Sequence, residues 1–304
     1  MEVSACVVDG MAVYPFAPAE IEAALGGRYV VGPQIAFSGQ AAAFRATRRS
    51  RPDGTPASDD VILKFRFQPP PDSRIQRDIA AMEQISHTSL ASLIEYGCCE
   101  VGAGHTRYLA WEFVAGQSLG HRLKVGPLRE SEVLGLGRDV SAAIAAIWAK
   151  RVVHGSIMPS NILLRDSGGA VLIDLGAAKY LDQANSLASH KPFGSGYFSP
   201  EQVRAEKNLC YASDIFSLGL VLLESLLGRH PTDHQQQALA YGIRVSGGAV
   251  AASVGLVVLL DKMLSARPVF RPLPADLSRN FQRLLQRMEE DLAISAPEPK
   301  QAHG

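Results

Sequence analysis

The sequence predicts an α+β chain, with a small strand-rich lobe followed by a larger helical lobe, and three observations carry that reading. From Arg28 the chain alternates in short strand-like runs, RYVVG, AAAFRA, VILKF and later RYLAWEFV, bounded by turn formers. Past Gly116 the texture becomes helical: in ESEVLGLGRDVSAAIAAIWAKR, residues Val133, Leu136, Val140, Ile144 and Ile147 return at helical spacing. The segment DIFSLGLVLLESLLG is apolar nearly all round, the pattern of a helix buried on every side.

Taken in order, residues 1–27 read as a weakly patterned lead-in, and MEVSACVVDGMAVYPF lacks the basic start and apolar core of a signal peptide. RRSRPDGTPASDD separates two strands and reads as an exposed loop with Pro52, Asp53 and Gly54 at its turn. Its arginines have no interleaved aromatic residues, so a solvated loop is expected there and not a nucleic-acid contact. The helix PADLSRNFQRLLQRMEEDL closes the folded part, and residues 293–304 are a polar tail. A chain of 304 residues can bury a sizeable core, and its 30 basic and 30 acidic residues create no net field that would draw in polyanions or an anionic membrane. The longest apolar runs, LGLVLLESLLG and VGLVVLLDKML, fall short of the roughly 18 to 20 residues of a membrane span, so a soluble, cytoplasmic protein is expected. Cys6, Cys98, Cys99 and Cys210 form no CxxC pair, which indicates neither a zinc site nor a disulfide framework. HPTDH sets His230, Asp233 and His234 at ligand-like spacing, but its place after the buried helix favours a capped loop.

Several short motifs then fall in a fixed order. VILK puts Lys64 on a strand, HGSIMPSN supplies His154 and Asn161, and VLIDLG ends a strand on Asp174, Leu175 and Gly176. YFSPE, SDIFSLG and the Arg271 of RPVFRP follow. Jointly, from about Arg28 to Leu292, these stretches resemble the eukaryotic-type Ser/Thr protein kinase family. The resemblance implies a protein-kinase-like bilobal domain over 28–292, with a β-rich N-lobe at 28–114 and an α-helical C-lobe at 115–292.

It also implies a site. Phosphoryl transfer needs a cation on the nucleotide phosphates, a divalent metal on hard oxygen ligands, and a positioned acceptor hydroxyl. Lys64 matches the cation, and Asn161 and Asp174 match the Mg²⁺ ligands. The acidic partner of Lys64 falls on Asp78, one methylene shorter than the family's glutamate. Ala36, Ser38 and Ala41 occupy the three glycine positions of the phosphate-covering loop, with Gly39 between them. In the adenine slot Ala43 replaces a larger residue and Ile62 a smaller one, with Leu163 as floor, Glu112 to Val114 as hinge, and Trp111 at the gatekeeper position. Arg271 is matched to the arginine that pairs with Glu201.

The loop His154–Asn161 departs furthest from the pattern. Ser156 stands where the family has its catalytic aspartate, Met158 where it has a lysine, and Gly155 where it has the arginine that reads a phosphorylated segment, here the one carrying Ser186 and Ser189. The threonine that contacts that aspartate and lysine falls near Gly194 or Ser195. A serine cannot act as general base at neutral pH, and Met158 removes a charge that would neutralise the transferring phosphoryl group. No catalytic residue is therefore expected in the loop. The reading carried forward is a pseudokinase: a regulatory or scaffolding module that binds a protein partner and holds ATP and Mg²⁺ without normal transfer. Two alternatives stay open. One is an atypical transferase passing phosphoryl or adenylyl from ATP, and the other is a nucleotide-free scaffold whose cleft Ile62 and Trp111 fill.

Overall fold

The structure is a computed structural model that describes residues 6–8, 11–13, 16–38, 41–66, 82–101, 104–175, 179–180, 196–204, 206, 209–231 and 252–295. It divides into two compact units, Met1–Ser86 with Ala91–Val114, and His87–Leu90 with Ala115–Gly304.

In the first unit a short hairpin, β1 (Cys6–Val8) and β2 (Met11–Val13), precedes helix α1 (Pro18–Ala24). Five strands follow: β3 (Tyr29–Ser38), β4 (Ala41–Arg48), β5 (Asp60–Arg66), β6 (Leu93–Val101) and β7 (Gly104–Glu112). They form one antiparallel sheet in the order β3-β4-β5-β7-β6. The period-2 alternation predicted for VILKF is present: Val61, Leu63 and Phe65 are fully buried, while Ile62, Lys64 and Arg66 are half-buried. The buried face forms one core with Ala42, Phe44, Ala46 and Tyr108. The helix α1 lies before Arg28, yet its Ile21 and the following Leu25 belong to this same core. Pro18 opens the helix, Glu20 accepts from the Ala17 N–H at 3.2 Å, and Glu22 accepts from the Val31 N–H at 2.8 Å, which docks the helix on β3. Arg28 then ties the start of β3 to β6 and β7 by bonding Glu95 at 2.5 Å and the Tyr108 hydroxyl at 2.7 Å. The loop between β4 and β5 turns on Asp53, whose carboxylate accepts from the Thr55 N–H at 2.9 Å, and its tip is exposed.

The second unit begins with β8 (Gly116–Ser118), α2 (Leu119–Leu123) and the long helix α3 (Glu130–Ala149). Strands β9 (Val152–Val153), β10 (Ile162–Arg165), β11 (Ala170–Leu172) and β12 (Lys179–Tyr180) form small antiparallel pairings around the loop 154–161. Helices α4 (Pro200–Val203), α5 (Tyr211–Leu227), α6 (Val254–Met263) and α7 (Pro274–Ser295) complete the unit. Every residue of α5 from Ala212 to Leu223 is buried, as its all-round apolar sequence requires, and the helix ends on Gly228 in the left-handed region. The helix α3 buries the predicted stripe Val133, Leu136, Val140, Ile144 and Ile147. It approaches α7 so closely that a Cβ on Gly137 would lie 2.6 Å from the Phe281 ring. No described helix is long and apolar enough to cross a membrane.

Candidate active site

The sheet unit carries the residues matched to the phosphate cation and adenine slot. Cross-strand register pairs Ala36 with Ala43, Ala43 with Lys64, and Lys64 with Leu109. Directly paired residues share a face, so Ala36, Ala43 and Lys64 form one row. Ile62 lies on that same face between Arg45 and Trp111, and Trp111 is buried. The β3–β4 hairpin closes with Ser38 paired to Ala41. Its approach is irregular, with register shifts between Val31 and Gln34 and between Gln34 and Ala36. Glu112 donates its N–H to the Ser92 carbonyl at 2.9 Å and accepts the Ser92 N–H on its carboxylate at 3.2 Å, and Val114 is buried. Asp78 and Gly39 lie outside the described residues.

The helical unit carries the loop. The carboxylate of Asp214, in the first turn of α5 and 1% exposed, accepts the N–H groups of His154 at 2.9 Å and Gly155 at 2.8 Å. Burial pushes the Asp214 carboxyl up to about 7, against the two N–H donors that favour its charged form. His154 is fully buried. Its Nδ1 accepts the Ser156 N–H at 3.3 Å, so Nε2 carries the proton and donates to the Ile173 carbonyl at 3.1 Å. Gly155 stands at φ 73°, a conformation that costs other residues strain. Met158 precedes the short 3₁₀ turn Pro159–Asn161, and its carbonyl accepts from the Asn161 N–H at 2.9 Å.

Asn161 turns both amide protons on Ser156, to the carbonyl at 2.8 Å and to Oγ at 3.1 Å. Its side-chain oxygen is left as the ligand end. The Asn161 carbonyl accepts the Ile173 N–H at 2.9 Å, which continues the β10–β11 ladder and brings Asp174 in one residue later. Asp174 is held at φ 67°, and non-glycine residues kept in that region concentrate at functional sites. Asn161 and Asp174 thus stand one position apart in the register of neighbouring strands, and their side-chain oxygens are hard donors of the kind Mg²⁺ takes. Leu163 pairs with Ser118 and with Val171 and is half-buried.

The helix α4 carries a buried ion pair. Arg271 bonds Glu201 at 2.6 and 3.0 Å, donates to the Ala212 and Ser265 carbonyls, and packs its guanidinium 4.8 Å from the Phe216 ring centroid. Burial pushes the Glu201 carboxyl up, but Arg271 and the Ser213 hydroxyl outweigh it and hold the group below its ordinary value. Asp214 and Gln202 were not singled out from sequence. Asp214 was legible as the one acid among the first apolar residues of SDIFSLG, because a buried carboxylate must find donors. Gln202 bonds the Gly155 carbonyl, and no sequence pattern marks that contact. In HPTDH the described part is His230 and Pro231, and the His230 ring packs 4.9 Å from that of Tyr197, while Asp233 and His234 lie outside the described residues. Gly176, Ser186, Ser189, Gly194 and Ser195 lie outside them as well.

Residues 61–291 match the family described as the protein kinase domain, whose members use ATP with Mg²⁺. The chain is similar to the serine/threonine-protein kinase PknA of Mycobacterium tuberculosis, at 28% identity over 230 residues, 74% of this chain and 48% of that protein. It is similar to the probable serine/threonine-protein kinase PknB of Bifidobacterium longum, at 32% over 234 residues, 71% of this chain and 32% of that protein. It is also similar to the serine/threonine-protein kinase PrkC of Bacillus subtilis, at 32% over 165 residues, 53% of this chain and 24% of that protein. The matches thus span from about a quarter to about half of the relatives' length. These relatives correct the pseudokinase expectation. Each carries the name of a Ser/Thr kinase, and the reading that fits them is the alternative, an atypical transferase that uses ATP. The physical reason is that phosphoryl transfer is catalysed mainly by positioning and by charge from several groups, so the exchange of one base and one lysine need not abolish it.

Proposed function

This chain belongs to the protein kinase domain family, and on that premise we propose that it is an ATP-dependent Ser/Thr protein phosphotransferase with an atypical catalytic loop. The observation that carries the reading is the Asn161–Asp174 arrangement: an amide oriented by two bonds to Ser156, one backbone step from an aspartate held at φ 67°. Backbone held in that region costs free energy, and such residues cluster at functional sites, which supports a retained ligand role for Asp174.

The roles follow from the residue chemistry. Lys64 neutralises the α- and β-phosphates, and Ala36, Ser38 and Ala41 keep the covering hairpin small. Asn161 Oδ1 and the Asp174 carboxylate would hold Mg²⁺, which would supply positive charge to the phosphates. Ser156 accepts from Asn161 and has its own O–H to donate toward the acceptor oxygen, so it orients the hydroxyl without taking its proton. That proton leaves to a phosphoryl oxygen or to water. General-base assistance is worth about 10²- to 10⁴-fold, so turnover is expected to be slower by that factor than with a carboxylate, and still measurable.

The test is incorporation of label from γ-labelled ATP with Mg²⁺ into a Ser/Thr-containing protein such as casein, with Lys64→Ala and Asp174→Asn as controls. Transfer at least about a hundredfold above both controls, recovered as phosphoserine or phosphothreonine, is the expected result. Transfer equal to the controls overturns the reading. Incorporation from α-labelled ATP identifies adenylyl transfer and overturns it in favour of that chemistry.

A further inference from the structure

Gly155 is the most permissive point of the loop. It stands at φ 73°, and without a side chain it offers nothing to hold its own backbone in place. The hold comes from outside. The Gly155 N–H is taken by Asp214 at 2.8 Å. The next peptide group joins the Gly155 carbonyl to the Ser156 N–H, and because it is planar, fixing either end orients the whole and sets where Ser156 begins. Its amide end makes a long bond to His154 Nδ1 at 3.3 Å, whereas its carbonyl end accepts from Gln202 Nε2 at 2.9 Å. The shorter bond comes from Gln202.

Gln202 is itself held in one orientation. Its side chain is buried, and Oε1 accepts the Ser199 N–H at 3.0 Å as the reciprocal half of the capping box of α4. A flipped amide would lose both bonds, so Nε2 is directed at Gly155. The same helix carries Glu201, fixed by its buried pair with Arg271. One residue thus joins a rigidly anchored helix, at the end of the segment after Asp174, to the peptide that bears Ser156.

We infer that Gln202 is a positioning residue for phosphoryl transfer, setting the Gly155–Ser156 peptide so that Ser156 faces Asn161 and the acceptor hydroxyl; this rests on the phosphotransfer reading. Two variants separate positioning from capping. Gln202→Glu keeps the acceptor for the Ser199 N–H and sets an oxygen against the Gly155 carbonyl. Gln202→Lys keeps a donor for that carbonyl and loses the cap.

Positioning requires that Gln202→Glu lower kcat about ten- to a hundredfold with KM for ATP unchanged, and that Gln202→Lys retain most of kcat. A purely structural role gives the reverse ranking, because only Gln202→Lys breaks the cap. Amide hydrogen exchange of residues 152–161 is read in parallel. Faster exchange there in Gln202→Glu, with α5 unchanged, is expected. Should the wild type transfer no phosphate, the phosphotransfer reading fails by itself and the exchange data still decide the positioning claim. Unchanged protection in Gln202→Glu, or equal losses of kcat in the two variants, overturns it.

Discussion

On the resemblance drawn from sequence, the loop around Ser156 and the sheet face around Lys64 differ from the family pattern in opposite ways. In the loop Asp214 holds two successive N–H groups and Asn161 turns on residue 156, while Ser156 and Met158 stand where the sequence resemblance puts a carboxylate and an ammonium. On the sheet the same resemblance keeps the reactive group and exchanges its surroundings. Lys64 sits in register with Ala36 and Ala43, while alanine and serine replace glycine and Ile62 faces Trp111. The first kind of change acts on the chemical step and the second on nucleotide fit. Changes in the loop should therefore appear in kcat and changes on the sheet in KM for ATP.

The sharpest attempt to break that division is to restore the loop. Ser156→Asp with Met158→Lys is expected to raise kcat by about 10²-fold or more, since a base and a charge return to a backbone already shaped for them. A rise in ATP affinity with no change in kcat would place the deficit on the sheet instead. Next in size is the framework itself. Arg271→Met leaves Glu201 buried without its guanidinium and is expected to cost about 3–5 kcal/mol, read from the urea midpoint. In the wild type the folded-state pKa of Glu201 lies below its ordinary 4.5, so the stability from this pair is complete above pH 4.5 and is lost as pH falls through the lower, folded value. Asp214 has the opposite sign. Raised from 3.8 to about 7, it contributes stability that is full below pH 3.8 and lost as pH climbs to about 7. Asp214→Asn should flatten the stability profile between those limits. An unchanged slope would show that another group titrates there.

Much of this was legible in the sequence, because it rests on periodicity and on motifs whose spacing the fold preserves. The strand VILKF, the buried helix at 211–227 and the Glu201–Arg271 pair can each be read from the residues and the family resemblance. What was not legible depends on contacts far apart in the chain. The helix α1 looked like unpatterned lead-in because about two turns with two core residues, Ile21 and Leu25, give too short a stripe to count. The strand β6 was not delimited, because Cys98 and Cys99 look alike in sequence although Cys98 is exposed and Cys99 buried, and pairing with β7 sets which faces the core. The loop misled in another way. Its lost acid and lysine are visible as letters, whereas the bonds from Asp214 and Gln202 that keep its shape span 59 and 47 residues.

The sheet half supports two smaller predictions. Returning glycine at Ala36, Ser38 and Ala41 is expected to lower KM for ATP about tenfold with kcat nearly constant, because backbone N–H groups can then approach the phosphates. The smallest effect concerns the slot itself. Ala43 lies opposite Lys64, and Ile62 is two residues from Lys64 on the same face, so the two are diagonal neighbours across β4 and β5. One lost volume where the other gained it, and compensating changes of that kind are tolerated together better than separately. Ile62→Ala alone leaves the slot too wide and Ala43→Val alone leaves it too narrow, and each is expected to raise KM for ATP about three- to fivefold. The double substitution should return KM to within about twofold of wild type, a coupling of about 1 kcal/mol between diagonal neighbours. Strictly additive effects would mean that the two side chains do not shape one site.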